Sequence, residues 1–179
     1  MASAAPTHIK CDLAIVGGGL AGGLIALAVA RQRPELKIVL VEQEAHFGGN
    51  HIWSFFASDI APEHRWLTAP LVTYGWSGYD VHFPEHSRSL ENIYYTIESE
   101  RLDWLLRHNL PASSLLTGRT VKAVSPRLVV LDGAQRIIAD LAPEDGRDLL
   151  VEQLRQTAQD ARLRLSAQAQ QDEVVARQD

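Results

Sequence analysis

The chain has 179 residues, 46% hydrophobic and 22% charged, the proportions of an ordinary globular domain long enough to build a proper core. Its 17 basic and 22 acidic residues give a net charge of -5 without any Lys/Arg-rich patch, which argues against nucleic acid as a partner. One cysteine, Cys11, excludes an internal disulfide and suits a reducing compartment.

Residues 1–10 lack a basic segment followed by an apolar one and a cleavage site, so the expected location is the cytoplasmic side. Cys11-Asp-Leu-Ala-Ile-Val16 then reads as a short buried parallel strand. It runs into the pattern G-x-G-x-x-G at Gly17, Gly19 and Gly22, followed by a helix to Gln32 with Leu20, Leu24, Leu27 and Ala28 at helical spacing. In such a turn the first glycine bends the chain off the strand and the second admits a pyrophosphate to the backbone N–H groups. The third lets helix and strand pack closely. The helix N-terminus adds partial positive charge. Lys37–Val41 is a second strand, ending at Glu42, 20 residues beyond Gly22. A carboxylate there accepts the hydroxyl hydrogens of an adenosine ribose and repels a 2′-phosphate. Residues 13–30 form an uncharged run of membrane-span length, but its five glycines and the preceding Asp12 fit a strand, turn and helix better.

After Glu42 comes a loop with Gly48-Gly49, which permits positive φ and close backbone approach, then Asn50 and His51 beside an apolar run of Ile52, Trp53, Phe55 and Phe56. Pro62 opens a short helix through Trp66, and Tyr79–Phe83 alternates like a half-buried strand. Trp53, Trp66, Tyr74, Trp76 and Tyr79 form an aromatic group that either lines an apolar pocket or fills core. His82 and His86 have i, i+4 spacing, but Pro84 lies between them in an extended pattern and no carboxylate or cysteine cluster accompanies them, so no metal is expected. No G-x-S-x-G elbow supports hydrolase chemistry.

Tyr94–Ile97 reads as a strand, with Ser99 capping a helix whose buried stripe is Leu102, Leu105 and Leu106. Arg101 lies in that helix's first turn, where a cation needs an anionic partner; a pyrophosphate or carboxylate is one candidate and solvent the alternative. Leu115–Thr117 fits a third parallel strand. Thr120–Val124, Arg127–Leu131 and Gln135–Ile138 form a β-meander, with Asp132-Gly133 as a turn. Beyond residue 139 the composition changes to a polar stretch rich in Gln, Ala, Arg and Asp, with Leu150, Leu154, Ala158, Ala161 and Leu165 on one stripe. One amphipathic helix fraying into a tail is expected over 140–179.

On Ala14–Gly23, Glu42 and above all Gly48-Gly-Asn-His-Ile-Trp-Ser-Phe55, the sequence resembles the bacterial lycopene β-cyclases, flavoproteins built on the FAD-binding fold of flavin monooxygenases. The likeness continues through Ala69–Val72, Tyr79–Phe83, Ser99–Arg101 and the meander to about residue 139. The resemblance implies an α/β fold: a partial, three-layer Rossmann-like FAD-binding domain over 1–139, with a parallel sheet and an inserted meander, plus the C-terminal helix. It also implies closure of β-ionone rings on lycopene by proton-initiated, non-redox isomerisation, needing reduced FAD with NAD(P)H as reductant. The carotenoid substrate is apolar and the enzymes work peripherally at a membrane surface. Gly17, Gly19, Gly22 and Glu42 would hold the ADP half of FAD. Gly48, Gly49 and Asn50 would run towards the flavin, with Arg101 as a further candidate.

Two departures mark the chain. The Asp-Gly-Arg turn of the family is present at Asp145–Arg147, but Pro143-Glu144 stand where strand residues belong. The family is about twice as long, and its acidic catalytic motif matches no Asp or Glu here, so no catalytic acid is assigned and an N-terminal, truncated or inactive form is expected. The alternatives are an FAD-dependent monooxygenase or isoprenoid reductase, which would consume NAD(P)H stoichiometrically, and a non-catalytic nucleotide-binding remnant.

Overall fold

A computed structural model describes residues 8–140. The helix and tail expected over 140–179 lie outside the described residues, Asp140 apart. In chain order the elements are β1 (His8–Cys11), β2 (Leu13–Val16), α1 (Leu20–Gln32), β3 (Ile38–Val41), β4 (Ile52–Phe56), α2 (Arg65–Thr68), β5 (Tyr74–Trp76), β6 (Tyr79–Phe83), β7 (His86–Leu90), β8 (Tyr94–Glu98), α3 (Ser99–Asn109), β9 (Leu115–Leu116), β10 (Val121–Ser125), β11 (Leu128–Leu131) and β12 (Arg136–Ala139).

The central layer is the parallel sheet β2-β3-β9, and β3 is its middle strand. Because strand side chains alternate between faces, β3 feeds two cores. Ile38 and Leu40 join Ala26 and Val29 of α1 and Leu102, Leu105 and Leu106 of α3 on one side. Val39 and Val41 join Cys11, Val129, Leu131 and Ile137 on the other. Helices therefore cover one face and the sheet β1-β12-β11-β10 covers the opposite one, which is the three-layer arrangement of a partial Rossmann-like domain. The meander is antiparallel through β10, β11 and β12, and β12 pairs parallel with β1. Cys11 is buried against the Ile138 carbonyl, and burial pushes its thiol up, which keeps it in the unreactive protonated form.

Three local readings change. The strand expected over Cys11–Val16 is divided at Asp12, whose carboxylate accepts the Lys37 N–H at 2.7 Å while its own N–H donates to the Lys37 carbonyl at 2.7 Å. The bend sends β1 to the meander and leaves only β2 in the parallel sheet. In α1 the deepest residues are Gly23, Ala26 and Val29, with Leu20, Leu24 and Leu27 only partly buried. Helix and neighbours approach most closely over the small residues: a Cβ at Gly23 would lie 2.8 Å from Leu102 Cδ1. Ser99 is not the cap of α3. Glu98 holds that position, and Ser99 is the first helical residue, its hydroxyl donating to Glu100 at 3.2 Å.

The charge-free run 13–30 resolves into β2, the glycine turn and α1, and no helix among the described residues is long and apolar enough to cross a membrane. Of the aromatic group, Trp66 lies on α2, Trp53, Tyr74 and Trp76 on the sheet β4-β8-β5, and Tyr79 on the hairpin β6-β7. Trp53 and Phe55 pack against the helix-side core, but Tyr74 and Trp76 are 54% and 48% exposed, so this group is neither one pocket nor plain core. Three of its rings form a chain through Tyr94, Tyr74 to Trp76 to Tyr94 to Tyr79, at centroid separations of 6.0–6.3 Å. His82 and His86 lie on the paired strands β6 and β7, an extended geometry in which their i, i+4 spacing does not place them together as it would on a helix.

Candidate nucleotide site

The glycine turn joins β2 to α1. Gly17 has φ +96°, a backbone region that side chains disfavour, and its N–H donates to the Val41 carbonyl at 2.9 Å, tying the turn to the end of β3. Gly22 lies so close beneath that a Cβ there would stand 1.9 Å from the Gly17 carbonyl oxygen. Gly19 is different. It is the N-cap of α1 with ordinary extended backbone, and a Cβ built on it meets nothing within 4 Å. That open space at a helix N-terminus is where a pyrophosphate can approach the backbone.

Glu42 completes the unit from the other side. Its Oε2 accepts the Gly18 N–H at 2.7 Å and its Oε1 accepts the Glu44 N–H at 3.0 Å. A carboxylate has about four acceptor positions, so two remain for ribose hydroxyls. The backbone around Glu42 is held by the chain that follows β9: the Arg119 N–H donates to the Glu42 carbonyl at 3.0 Å and the Gly118 N–H to that of Glu44 at 2.9 Å. Arg119 is in turn fixed by Asp132, at 2.9 Å, in the turn between β11 and β12. The meander thus braces the carboxylate, a link that the sequence does not suggest.

The loop after Glu42 is brought onto the turn. Gly48 has φ +84°, donates its N–H to the Gly18 carbonyl at 2.8 Å, and packs so tightly that a Cβ would lie 2.9 Å from Ser99 Cβ. Gly49, at φ +63°, and Asn50 continue outward and are exposed. The His51 carbonyl accepts the Ser99 N–H at 3.1 Å, so the loop passes over the N-terminus of α3. Gly17, Gly19, Gly22, Glu42 and Gly48 therefore converge on one surface, with Gly49 and Asn50 at its margin. Arg101 points elsewhere in this structure: its Nε donates to the Pro70 carbonyl at 2.9 Å and its guanidinium lies 4.8 Å from the Trp104 ring centre.

Three contributors escaped the sequence reading. Phe47 is 1% exposed, its ring directly under Gly18, where a Cβ would meet it at 2.4 Å. Asp103 accepts the Phe47 N–H at 2.8 Å and the Arg107 Nε–H at 2.8 Å, and Arg107 Nη2 donates to the Ala45 carbonyl at 3.1 Å. The available signal was an apolar residue just before the glycine pair and an i, i+4 acid–base pair on a helix. Burial alone raises the Asp103 carboxyl, but Arg107 and the Phe47 N–H outweigh it, holding the group below the usual carboxylate range. The stability it adds is therefore complete above the ordinary Asp value and fades as pH falls through the lowered one.

A separate recess of about 310 Å³ lies between α1, α2, Pro70 and the Leu105 and Asn109 positions of α3, with the Arg31 guanidinium 4.5 Å from the Trp66 ring centre. Arg31 is eleven residues along α1 from Leu20, roughly 17 Å by helical rise, so the recess stands apart from the glycine turn.

Residues 12–168 match the family described as lycopene cyclase protein. That stretch runs past residue 139, where the sequence reading places the start of a divergent tail. The chain is 41% identical to a lycopene beta-cyclase of Pseudescherichia vulneris over 147 residues, covering 82% of this chain and 37% of that protein. It is 39% identical to the lycopene beta-cyclase of Pantoea ananas over 137 residues, covering 76% of this chain and 35% of that protein. The chain thus spans little more than a third of the length of these curated relatives. Among solved structures it is similar to a 2-methyl-3-hydroxypyridine-5-carboxylic acid oxygenase, at TM-score 0.53 and 16% identity over 76% of this chain and 38% of the other. It is also similar to the amino acid oxidase NikD, at TM-score 0.52 and 14% identity over 72% and 50%. At such identities the likeness shows the fold alone.

Proposed function

The chain belongs to the lycopene cyclase family, and on that premise we propose that it supplies the ADP-binding half of a reduced-FAD site in a carotenoid cyclase. The observation that carries this reading is the glycine turn closed by Glu42, with open space at Gly19 and the Gly18 N–H fixing the carboxylate at 2.7 Å. These residues fit the adenosine diphosphate part of FAD: Gly17 and Gly22 shape the turn, Gly19 admits the pyrophosphate, and Glu42 takes the ribose hydroxyls. Gly48, Gly49 and Asn50 lead towards the flavin, and Arg101 would have to leave Pro70 to serve as a phosphate ligand.

When bound, reduced flavin supplies negative charge that stabilises a developing carbocation, and NAD(P)H is the reductant that keeps it reduced. The reaction is ring closure on lycopene, an isomerisation begun by protonation and ended by proton loss. This chain's residues bind and orient; no Asp or Glu among the described residues is assigned the proton transfer. The substrate is apolar, so the working place is a membrane surface, on its cytoplasmic side.

The test is a chimera in which residues 12–139 of this chain replace the matching part of the Pseudescherichia vulneris relative. The expected result is conversion of lycopene to β-carotene with NADPH consumed in far less than molar proportion to product. Stoichiometric NADPH consumption with an oxygenated or reduced product would instead place the chain with the monooxygenases or reductases. A folded chimera that binds no flavin would count against the site.

A further inference from the structure

The segment that carries Gly48 is not held by its own secondary structure. It is held from α3. Asp103 uses one carboxylate oxygen for the Phe47 N–H at 2.8 Å and the other for Arg107 at 2.8 Å, while Arg107 reaches the Ala45 carbonyl at 3.1 Å and lies 5.4 Å from the Phe47 ring centre. Both ends of the three-residue span 45–47 are thereby fastened. The next residue, Gly48, donates to the Gly18 carbonyl at 2.8 Å, and the Gly18 N–H donates to Glu42 Oε2 at 2.7 Å. From the helix carboxylate to the ribose-reading carboxylate there is thus an unbroken path of short hydrogen bonds with one buried ring, Phe47, filling the space below Gly18.

We infer that Asp103, acting with Arg107 through Phe47, is a positioning residue for the glycine turn, setting the aim of the Gly18 backbone and the Glu42 carboxylate. The inference rests on the ADP-site reading above and adds the element that tunes it. Leu102, Leu105 and Leu106 hold α3 in the core, so the helix does not need Asp103 to stay in place. The loop does: without an acceptor the Phe47 N–H is left unpaired, and the loop moves to find one. The carboxylate satisfies the backbone donor and the guanidinium at once; an amide would keep an acceptor for the Phe47 N–H and lose the charged partner of Arg107.

The experiment uses the full chain, with Asp103→Ala, Asp103→Asn and, as a control, Ile137→Ala in the meander-side core. Calorimetry with ADP-ribose and with its 2′-phosphate gives affinity and ribose selectivity, and amide hydrogen exchange reports on Gly18 and Gly48. For Asp103→Ala the expected results are ADP-ribose binding weakened about tenfold, reduced discrimination against the 2′-phosphate, and faster exchange at both glycines. Asp103→Asn keeps an acceptor for the Phe47 N–H and is expected to bind within about fivefold of the unsubstituted chain. Ile137→Ala lowers the unfolding temperature but leaves affinity, selectivity and local exchange at the two glycines unchanged. Unaltered exchange at Gly18 and Gly48 in Asp103→Ala overturns the inference. If the unsubstituted chain binds no ADP-ribose, the ADP-site reading fails, and exchange still decides whether Asp103 positions the turn.

Discussion

Replacing Gly22 with alanine is expected to lower the unfolding midpoint by about 6–12 °C, as a loss of about 3 kcal/mol does in a chain of this size. The added Cβ would stand 1.9 Å from the Gly17 carbonyl oxygen, a backbone atom with no rotamer to move into. Relief requires the turn itself to shift, and Gly17, already at φ +96°, is tied to Val41 by its N–H. Nucleotide binding is lost along with the stability. Gly19→Ala separates the two effects. Its backbone is extended and its surroundings empty, so the unfolding midpoint stays within a few degrees, roughly the change of a neutral surface substitution. A methyl group in the space proposed for the pyrophosphate is nevertheless expected to weaken ADP binding. Thermal unfolding and ADP titration of the two variants check this; equal ADP affinity in Gly19→Ala and the unsubstituted chain would mean that no phosphate approaches there.

Phe47→Ala is expected to cost about 3–5 kcal/mol, the range for emptying a fully buried aromatic site. The ring is 1% exposed, belongs to the helix-side core and supports Gly18 from below. Denaturant unfolding measures the loss. Its distinguishing mark is selectivity of effect: ADP affinity of the folded protein falls as well, because Gly48 and Gly18 lose their support. A loss below about 1 kcal/mol, as for an exposed residue, would contradict the packing described here.

The strand, turn, helix and second strand of the nucleotide unit are legible because each carries a local signal: an apolar run, glycines at fixed offsets, and a carboxylate where β3 ends. The leucine stripe of α3 is legible for the same reason, since Leu102, Leu105 and Leu106 form a single buried face. In α1 nearly every side chain is apolar, so periodicity cannot say which face is deepest. Close approach selects Gly23, Ala26 and Val29 over the larger leucines. Asp12 splits a strand because of a partner 25 residues away, Lys37, and no local pattern announces that. The bracing of Glu42 by Arg119 and Asp132, and of Phe47 by Asp103, likewise depends on contacts between residues 13 to 77 positions apart in sequence. The glycine pair was visible; what holds it was not. Tyr74 and Trp76 read as pocket or core by composition, yet stand about half exposed on β5, the edge strand of the sheet β4-β8-β5.

The central proposal is that the surface at Gly17, Gly19, Gly22 and Glu42 holds the adenosine diphosphate half of FAD. Titrating the purified chain with FAD while following flavin fluorescence, then adding ADP or FMN as competitors, tests it directly. The predicted result is that ADP displaces FAD and FMN does not, because FMN lacks the half that these residues bind, and that Glu42→Ala weakens FAD and ADP alike. Binding of FMN as tight as that of FAD, unaffected by ADP, would contradict it.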